Sequence, residues 1–234
     1  MQIQKTIINF LTNRIKKGKK PVLILSGGDS PINLYKSISK FNLNWSKVIG
    51  HLLDERNVGL NNKFSNYNLL KKNLKINKAH NIKIFSLLSI AKDNKKKKAM
   101  INLFKNSKPL AILGMGNDGH YASIFSNSKI LNKLTDIHNK PDVLSVEKNG
   151  TPKLKRTTMN LPMILMSYKI ILILNTRTKQ KVFIKACHQK HYKFSIRTLI
   201  KNAHKKLIIY DSIKLYRFND FIKKFKIKTK NLLI

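Results

Sequence analysis

The chain has 234 residues, 42% of them hydrophobic, which is enough for one sizeable core, and its formal net charge is +38. No apolar run approaches the length of about 18 residues that a membrane span needs. A single cysteine, Cys187, excludes an intrachain disulfide and fits a reducing cytoplasm.

The strongly basic composition raises the question of a nucleic-acid partner. Only six of the 48 basic residues are arginine, whereas base readout and phosphate forks favour arginine, and the lysines are scattered over the whole chain. We therefore expect no specific nucleic-acid partner. A basic field of this size still attracts phosphorylated small molecules.

The first predicted strand, Pro21–Ser26, runs directly into a glycine loop. Gly27 and Gly28 are followed by Ser30, which suits the N-cap of a helix, and by Pro31, which suits its first position. A glycine loop that opens a helix presents free N–H groups and the positive end of the helix dipole, which makes an anion site. An ordinary strand-to-helix turn has the same pattern, so both interpretations stand at this point.

A second strand is predicted within Trp45–Glu55, and it ends in Asp54, Glu55 and Arg56. Two acids and an arginine at a strand end form either a solvated ion-pair cluster or part of a polar site. Further along, Ser65, Asn66 and Tyr67 are predicted to begin a helix that runs through Leu74.

The most informative stretch is Pro109–Phe125, which reads PLAILGMGNDGHYASIF. A buried strand is predicted at Leu110–Leu113, and three glycines within six residues then mark a shaped loop. Their spacing matches neither the dinucleotide fingerprint nor a Walker loop. The loop carries Asp118 and His120, and Tyr121–Phe125 is predicted to start a helix. Because ligands of open α/β sheets bind at the carboxyl ends of strands, Asp118 and His120 are candidates for an orienting group and a general base, although a plain tight turn has the same composition.

Strand and helix patterns alternate along the rest of the chain. Further strands are predicted at Ile82–Phe85, Asp142–Glu147 and Tyr168–Asn175, and helices at Asn94–Phe104 and from Thr176 to about His188. The alternation predicts an α/β fold, with a mostly parallel sheet and helices on both faces in a Rossmann-like three-layer sandwich. We expect residues 1–211 to form one domain and residues 212–234 to form a basic C-terminal extension, packed on the domain or trailing from it.

The stretch GMGNDGHYASIF resembles the GMGxDGHTASLFP signature of the 6-phosphogluconolactonases, which are related to the glucosamine-6-phosphate isomerases. Further elements match in the family's order: the SGGxSP loop at Ser26–Pro31, DER followed by SNY, KRTTMNL at Lys155–Leu161, and the closing SIRTLI and LIIY segments. The resemblance covers most of the chain. It implies hydrolysis of 6-phosphoglucono-δ-lactone to 6-phosphogluconate in the oxidative pentose phosphate pathway.

The resemblance also assigns roles to particular residues. Substrate and phosphate binding is implied for Ser26, Gly27, Gly28, Ser30, Asp54, Arg156 and Lys179. Arg56 is implied to stabilise the substrate or the developing oxyanion. Two positions depart from the family pattern: Asp29 places an acid beside the phosphate loop, so its side chain should point away, and Thr176 replaces the glycine of a GxxK loop.

Lactone hydrolysis needs an activated water, which His120 provides if Asp118 fixes its tautomer. No serine lies in a GxSxG elbow and no histidine spacing such as HExxH is present, so we expect direct water attack with neither a metal nor a cofactor. The related isomerases carry a glutamate where this chain has Phe125. An isomerase or deaminase and a basic nucleic-acid-binding protein are the alternatives. We expect a cytoplasmic enzyme, a monomer or small homo-oligomer, whose partner is a phosphorylated sugar lactone and not a membrane.

Overall fold

The computed structural model describes residues 2–188 and 194–225 of the chain. Within them the strands are β1 (Val22–Leu25), β2 (Ile49–Leu52), β3 (Asp54–Arg56), β4 (Lys83–Phe85), β5 (Leu110–Gly114), β6 (Val143–Asn149), β7 (Leu154–Met159), β8 (Lys169–Ile173), β9 (Leu207–Tyr210) and β10 (Leu215–Arg217). The helices are α1 (Gln2–Lys16), α2 (Ile32–Ile38), α3 (Asn66–Asn73), α4 (Leu87–Ala91), α5 (Asn94–Ser107), α6 (Leu131–Thr135), α7 (Leu161–Leu165), α8 (Arg177–His188), α9 (Ile196–Ala203) and α10 (Phe218–Lys224).

A large sheet of seven strands, in the order β10-β9-β8-β5-β1-β2-β4, forms the centre of the protein. Its neighbouring strands are parallel except for β10, which is antiparallel to β9. All four residues of β1 are buried, and successive side chains of a strand point to opposite faces, so both faces of the sheet are covered. The predicted α/β fold with a mostly parallel sheet is confirmed.

A second sheet of three antiparallel strands, in the order β3-β7-β6, was not predicted. The strand predicted within Trp45–Glu55 divides between the two sheets, and Leu53 marks the change. Its N–H donates to the carbonyl of Leu25 in the large sheet at 2.8 Å, and its carbonyl accepts from the N–H of Met159 in the small sheet at 3.0 Å. This change of sheet places β3 beside the carboxyl end of β1.

The two ends of the described chain pack on the large sheet. Helix α1 buries Ile3, Ile7 and Leu11, which share one face at helical spacing. Beyond Asp211 the chain adds β10 to the sheet edge, and α10 buries Phe218 and Phe221. Residues 226–234 of the expected extension lie outside the described residues.

Among the described residues, no helix combines the length and the apolar character that crossing a bilayer requires.

Candidate active site

The carboxyl ends of β1 and β5 open onto one cleft. Strand β3, the start of α3, the turn between β6 and β7 and the first turn of α8 complete its walls. All residues that the sequence assigned to the site line this cleft except Asp118, which contacts the lining residue His120. The topology explains this convergence, because parallel strands present their carboxyl ends at the same edge of a sheet.

The loop after β1 is held to its neighbours by Ser26. The Ser26 Oγ accepts a hydrogen bond from the N–H of Gly114 at 3.1 Å, and the Ser26 carbonyl accepts one from the Tyr35 hydroxyl at 2.8 Å. Gly27 follows, and a Cβ there would lie 2.0 Å from the Oδ1 of Asn66. Gly28 has a φ of +74°, which glycine adopts without strain. The loop therefore keeps its backbone close to the cleft.

Ser30 and Lys179 meet across the cleft, where the Lys179 Nζ donates to the Ser30 Oγ at 2.5 Å. The predicted N-cap at Ser30 was wrong: α2 begins at Ile32, its cap position is Pro31, and no side chain caps it. The Ser30 hydroxyl contacts Lys179 instead. Burial lowers the pKa of Lys179, and the nearby Asp29 carboxylate opposes this shift. A half-buried cation at this place can hold a phosphate group.

Thr176, which replaces the glycine of the related loop, orders the start of α8. Its Oγ1 accepts a hydrogen bond from the N–H of Lys179 at 3.2 Å, and its carbonyl accepts one from Gln180 at 3.0 Å. A threonine in this position satisfies a backbone donor of the first helical turn. The substitution therefore keeps Lys179 on the first turn of the helix.

His120 and Asp118 form a hydrogen-bonded pair in the loop after β5. The His120 Nδ1 lies 2.5 Å from the Asp118 Oδ1, and the two side chains are 26% and 61% exposed. Partial burial alone would raise the pKa of the Asp118 carboxyl, but the hydrogen bond and charge interaction with His120 outweigh it, and this pKa lies below its ordinary value. An ionised Asp118 accepts from a protonated Nδ1, which leaves Nε2 as the basic nitrogen. The pair thus has the geometry of a base and its orienting group.

The residues around this pair form a tight loop. A Cβ at Gly116 would lie 2.3 Å from the His120 ring, so this position has room only for glycine. The predicted helix at Tyr121–Phe125 was wrong. Ala122 has a φ of +52°, and Tyr121 makes antiparallel bridge contacts instead of helical ones. A residue with left-handed backbone conformation interrupts a right-handed helix, so the chain turns back toward the cleft at Ala122.

Asp54 ties three segments of the site together. Its Oδ2 accepts from the Ser123 hydroxyl at 2.6 Å, and its Oδ1 and its carbonyl accept from the Asn66 side-chain amide at 3.3 and 2.9 Å. The residue is 5% exposed, and donors engage both carboxylate oxygens. These contacts favour a positioning role for Asp54 over a role as a free base.

Arg56 lines the cleft from β3. One terminal nitrogen donates to the Phe64 carbonyl at 2.9 Å and to the Asn66 Oδ1 at 3.2 Å. The Arg56 Nε is buried and has no hydrogen-bond partner among the described residues. A guanidinium held in this way can stabilise negative charge that develops on a bound substrate.

Glu55 was not assigned to the site from the sequence, and the structure gives it a supporting role. It is fully buried and accepts from the Ser65 hydroxyl at 3.0 Å and from the N–H groups of Arg56, Asn66 and Tyr67 at 2.7, 2.7 and 2.8 Å. Burial raises the pKa of Glu55, although these four donors oppose the shift. Because side chains of a strand alternate, Asp54 faces the cleft while Glu55 fixes the start of α3 behind it.

Arg156 lies opposite Arg56 in the β3–β7 register and is 4% exposed. Its Nε donates to the Asn149 carbonyl at 3.1 Å, and a terminal nitrogen donates to the Pro152 carbonyl at 3.3 Å. The Asn149 carbonyl is at the end of β6 and the Pro152 carbonyl is in the turn to β7, whose Thr151 lines the cleft. The structure therefore brings Arg156 to the wall of the cleft but uses two of its donors to brace this turn.

Asn66 links Arg56 and Asp54 through its side-chain amide, and Ser123 donates to Asp54. The SNY resemblance implied that the stretch containing Asn66 lines the sugar pocket, although no individual role was assigned to Asn66, and no role was assigned to Ser123. Across residues 2–188 and 194–225, no group of three or more His, Cys, Asp or Glu side chains is arranged to hold a metal ion.

The cleft combines a histidine–aspartate pair with a half-buried lysine at the carboxyl edge of an open α/β sheet, which is where such sheets bind their ligands. Residues 1–209 match the family model described as glucosamine-6-phosphate isomerases/6-phosphogluconolactonase. The chain belongs to this family.

Individual relatives lie on the lactonase side of the family. The 6-phosphogluconolactonase of Helicobacter pylori strain J99 is 31% identical over 180 residues, which cover 76% of this chain and 77% of that protein. The 6-phosphogluconolactonase of H. pylori strain 26695 is 36% identical over 127 residues, and this match spans 53% of the chain and about half, 56%, of that protein. A crystal structure of a 6-phosphogluconolactonase from Shewanella baltica has a TM-score of 0.72 at 26% identity, with 89% of each chain covered.

Proposed function

We propose that this chain is a lactone hydrolase that converts 6-phosphoglucono-δ-lactone to 6-phosphogluconate, with a water activated by His120. The observation that carries the proposal is that one cleft contains both the Asp118–His120 pair and the Lys179–Ser30 contact. The first supplies a base and the second a cationic anchor for a phosphate. Relatives and structural neighbours named 6-phosphogluconolactonase support the substrate class.

The reaction follows from the ester chemistry of a lactone. The His120 Nε2 takes a proton from water while the water oxygen attacks the carbonyl carbon, and negative charge develops on the carbonyl oxygen. Arg56, which lines the cleft, stabilises this oxyanion. When the tetrahedral intermediate collapses, the ring oxygen leaves with the proton that His120 carries, and the ring opens to an alcohol and a carboxylic acid, which then loses its proton to solvent as the carboxylate.

Phe125 supports hydrolysis over isomerisation or deamination. Isomerisation needs a further acid–base group to move protons to and from carbon. The Phe125 side chain is 2% exposed and packs on the His120 ring, so the space beside the base holds an apolar ring and no carboxyl group from this residue.

The test is hydrolysis of freshly prepared 6-phosphoglucono-δ-lactone, corrected for the spontaneous rate in buffer. His120→Ala should lower kcat by at least about a hundredfold, because a positioned general base contributes that much, and it should leave KM nearly unchanged. The control is His80→Ala. His80 is exposed and precedes β4, so it lies at the amino end of that strand, whereas the cleft lies at the carboxyl ends of the strands. This control should keep wild-type turnover.

Two results would contradict the proposal. Wild-type turnover in a folded His120→Ala protein would reject His120 as the base. No hydrolysis above the buffer rate in the folded wild-type protein would reject the lactonase itself, and glucosamine 6-phosphate would be the next substrate tested.

A further inference from the structure

Phe125 is buried against polar groups of the site and not against the hydrophobic core. The residue is 2% exposed, yet among the described residues it is the one buried hydrophobic side chain that lies outside the contiguous core. Its ring stacks on the His120 imidazole with centroids 4.2 Å apart and planes 29° apart. The Arg156 guanidinium lies over the same ring, with its Cζ 5.4 Å from the centroid.

We propose that Phe125 is a positioning residue that holds the plane of the His120 imidazole. The proposal rests on the proposed lactone hydrolysis, in which His120 is the base. Phe125 touches neither the water nor the lactone in this role and acts through the histidine.

The hydrogen bond to Asp118 does not by itself fix the imidazole. The contact joins the His120 Nδ1 to the Asp118 Oδ1, and the ring can still tilt about that one atom pair. A base must be held within about 10–20° of its productive orientation to work efficiently. A flat aromatic surface against the imidazole face removes the tilt, so that Asp118 sets the edge of the ring and Phe125 sets its plane.

Phe125 is itself held in place by the turn between β6 and β7. A Cβ at Gly150 would lie 2.9 Å from the Phe125 Cζ and 2.8 Å from a terminal nitrogen of Arg156, so the turn packs directly on both groups. Arg156 in turn donates to the carbonyls of Asn149 and Pro152. The turn, Arg156, Phe125 and His120 thus form a continuous packed series that ends at the basic nitrogen.

The test compares Phe125→Leu with Phe104→Leu. Both substitutions truncate a buried phenylalanine to leucine, but Phe104 lies in the core on α5, where it meets His51 and not His120. Phe125→Leu should lower kcat for the lactone by between about tenfold and a hundredfold and leave KM within about threefold, because a misplaced catalytic group affects the chemical step and not the phosphate anchor. Phe104→Leu should lower the melting temperature with kcat unchanged. Phe125→Met, with an unbranched side chain that still fills the space, serves if the leucine variant does not fold.

A second measurement reads the stacking without any substrate. In the wild-type protein the Phe125 ring should shift the NMR signals of the His120 ring protons upfield, and this shift should be lost in Phe125→Leu and kept in Phe104→Leu. A kcat for folded Phe125→Leu equal to wild type, or an equal kcat loss in Phe104→Leu, would overturn the inference. A wild-type protein that does not hydrolyse the lactone would instead overturn the proposed function, which the NMR measurement does not depend on.

Discussion

His51 lies in β2 with its imidazole enclosed by aromatic rings. It is 5% exposed, stacks on Phe85 at 5.2 Å and meets the edge of Phe104 at 5.4 Å. Neither ring nitrogen has a hydrogen-bond partner among the described residues. Burial lowers the pKa of His51 from 6.5 to about 4. The folded protein therefore holds this histidine in its neutral form.

This burial predicts a specific loss of stability in mild acid. Below pH 6.5 the unfolded chain takes up a proton that the folded chain resists, so the free energy of unfolding falls as the pH drops from 6.5 toward about 4 and this contribution then levels off. At about 1.36 kcal/mol per pKa unit, the full effect is about 3 kcal/mol. Between pH 7.5 and 5 the share expected from His51 is about 2 kcal/mol.

The assay is urea unfolding at several pH values, followed by the fluorescence of Trp45, the single tryptophan, which is 2% exposed. His51→Leu keeps a side chain of similar size that does not titrate. Between pH 7.5 and 5 the free energy of unfolding of this variant should therefore fall by about 2 kcal/mol less than that of the wild type. His80→Leu removes an exposed histidine and should keep the wild-type pH dependence. Equal pH dependence in the wild type and His51→Leu would refute the argument that burial lowers the pKa of His51.

Two further predictions concern the cleft. Lys179→Met removes the cationic anchor, so KM for the lactone should rise at least about tenfold while kcat stays within about threefold in steady-state kinetics; a fall in kcat at unchanged KM would show that the lysine serves the chemical step. Gly116→Ala places a Cβ 2.3 Å from the His120 ring and 2.5 Å from the Asp118 Oδ1, so kcat should fall at least about tenfold. Gly59→Ala meets nothing within 4 Å and should keep wild-type turnover; equal losses in the two variants would contradict the steric explanation.

The sequence predicted those parts of the site that depend on the sheet topology. Parallel strands with buried alternating residues place their carboxyl ends at one edge, so Gly27, Asp118 and His120 were expected near each other before any contact was known. The pattern also placed Lys179 at the start of the helix that follows the strand predicted at Tyr168–Asn175. These positions follow from the local hydrophobic periodicity and the spacing of the glycines, both of which can be read from the sequence.

The parts that were missed depend on contacts between distant segments. The change of sheet at Leu53 is made by hydrogen bonds to Leu25 and Met159, and no pattern in the neighbouring sequence predicts it. Ser30 has the chemistry of an N-cap, but the Lys179 ammonium contacts its hydroxyl instead. Tyr121–Phe125 has apolar residues that suit a helix, yet the left-handed backbone at Ala122 and the tertiary contacts of the loop override that preference.

The contacts that complete the cleft also determine when it forms during synthesis. The hydrogen bond between Lys179 and Ser30 joins residues 149 positions apart, and the pairing of β3 with β7 joins Asp54 to Thr158. A nascent chain that has reached Gly150 already contains the glycine loop and the histidine–aspartate pair, but it lacks both the anchor and the strand that holds Arg56. Because such long-range contacts form late in folding, the growing chain gains a complete cleft only after β8 and the start of α8 have left the ribosome.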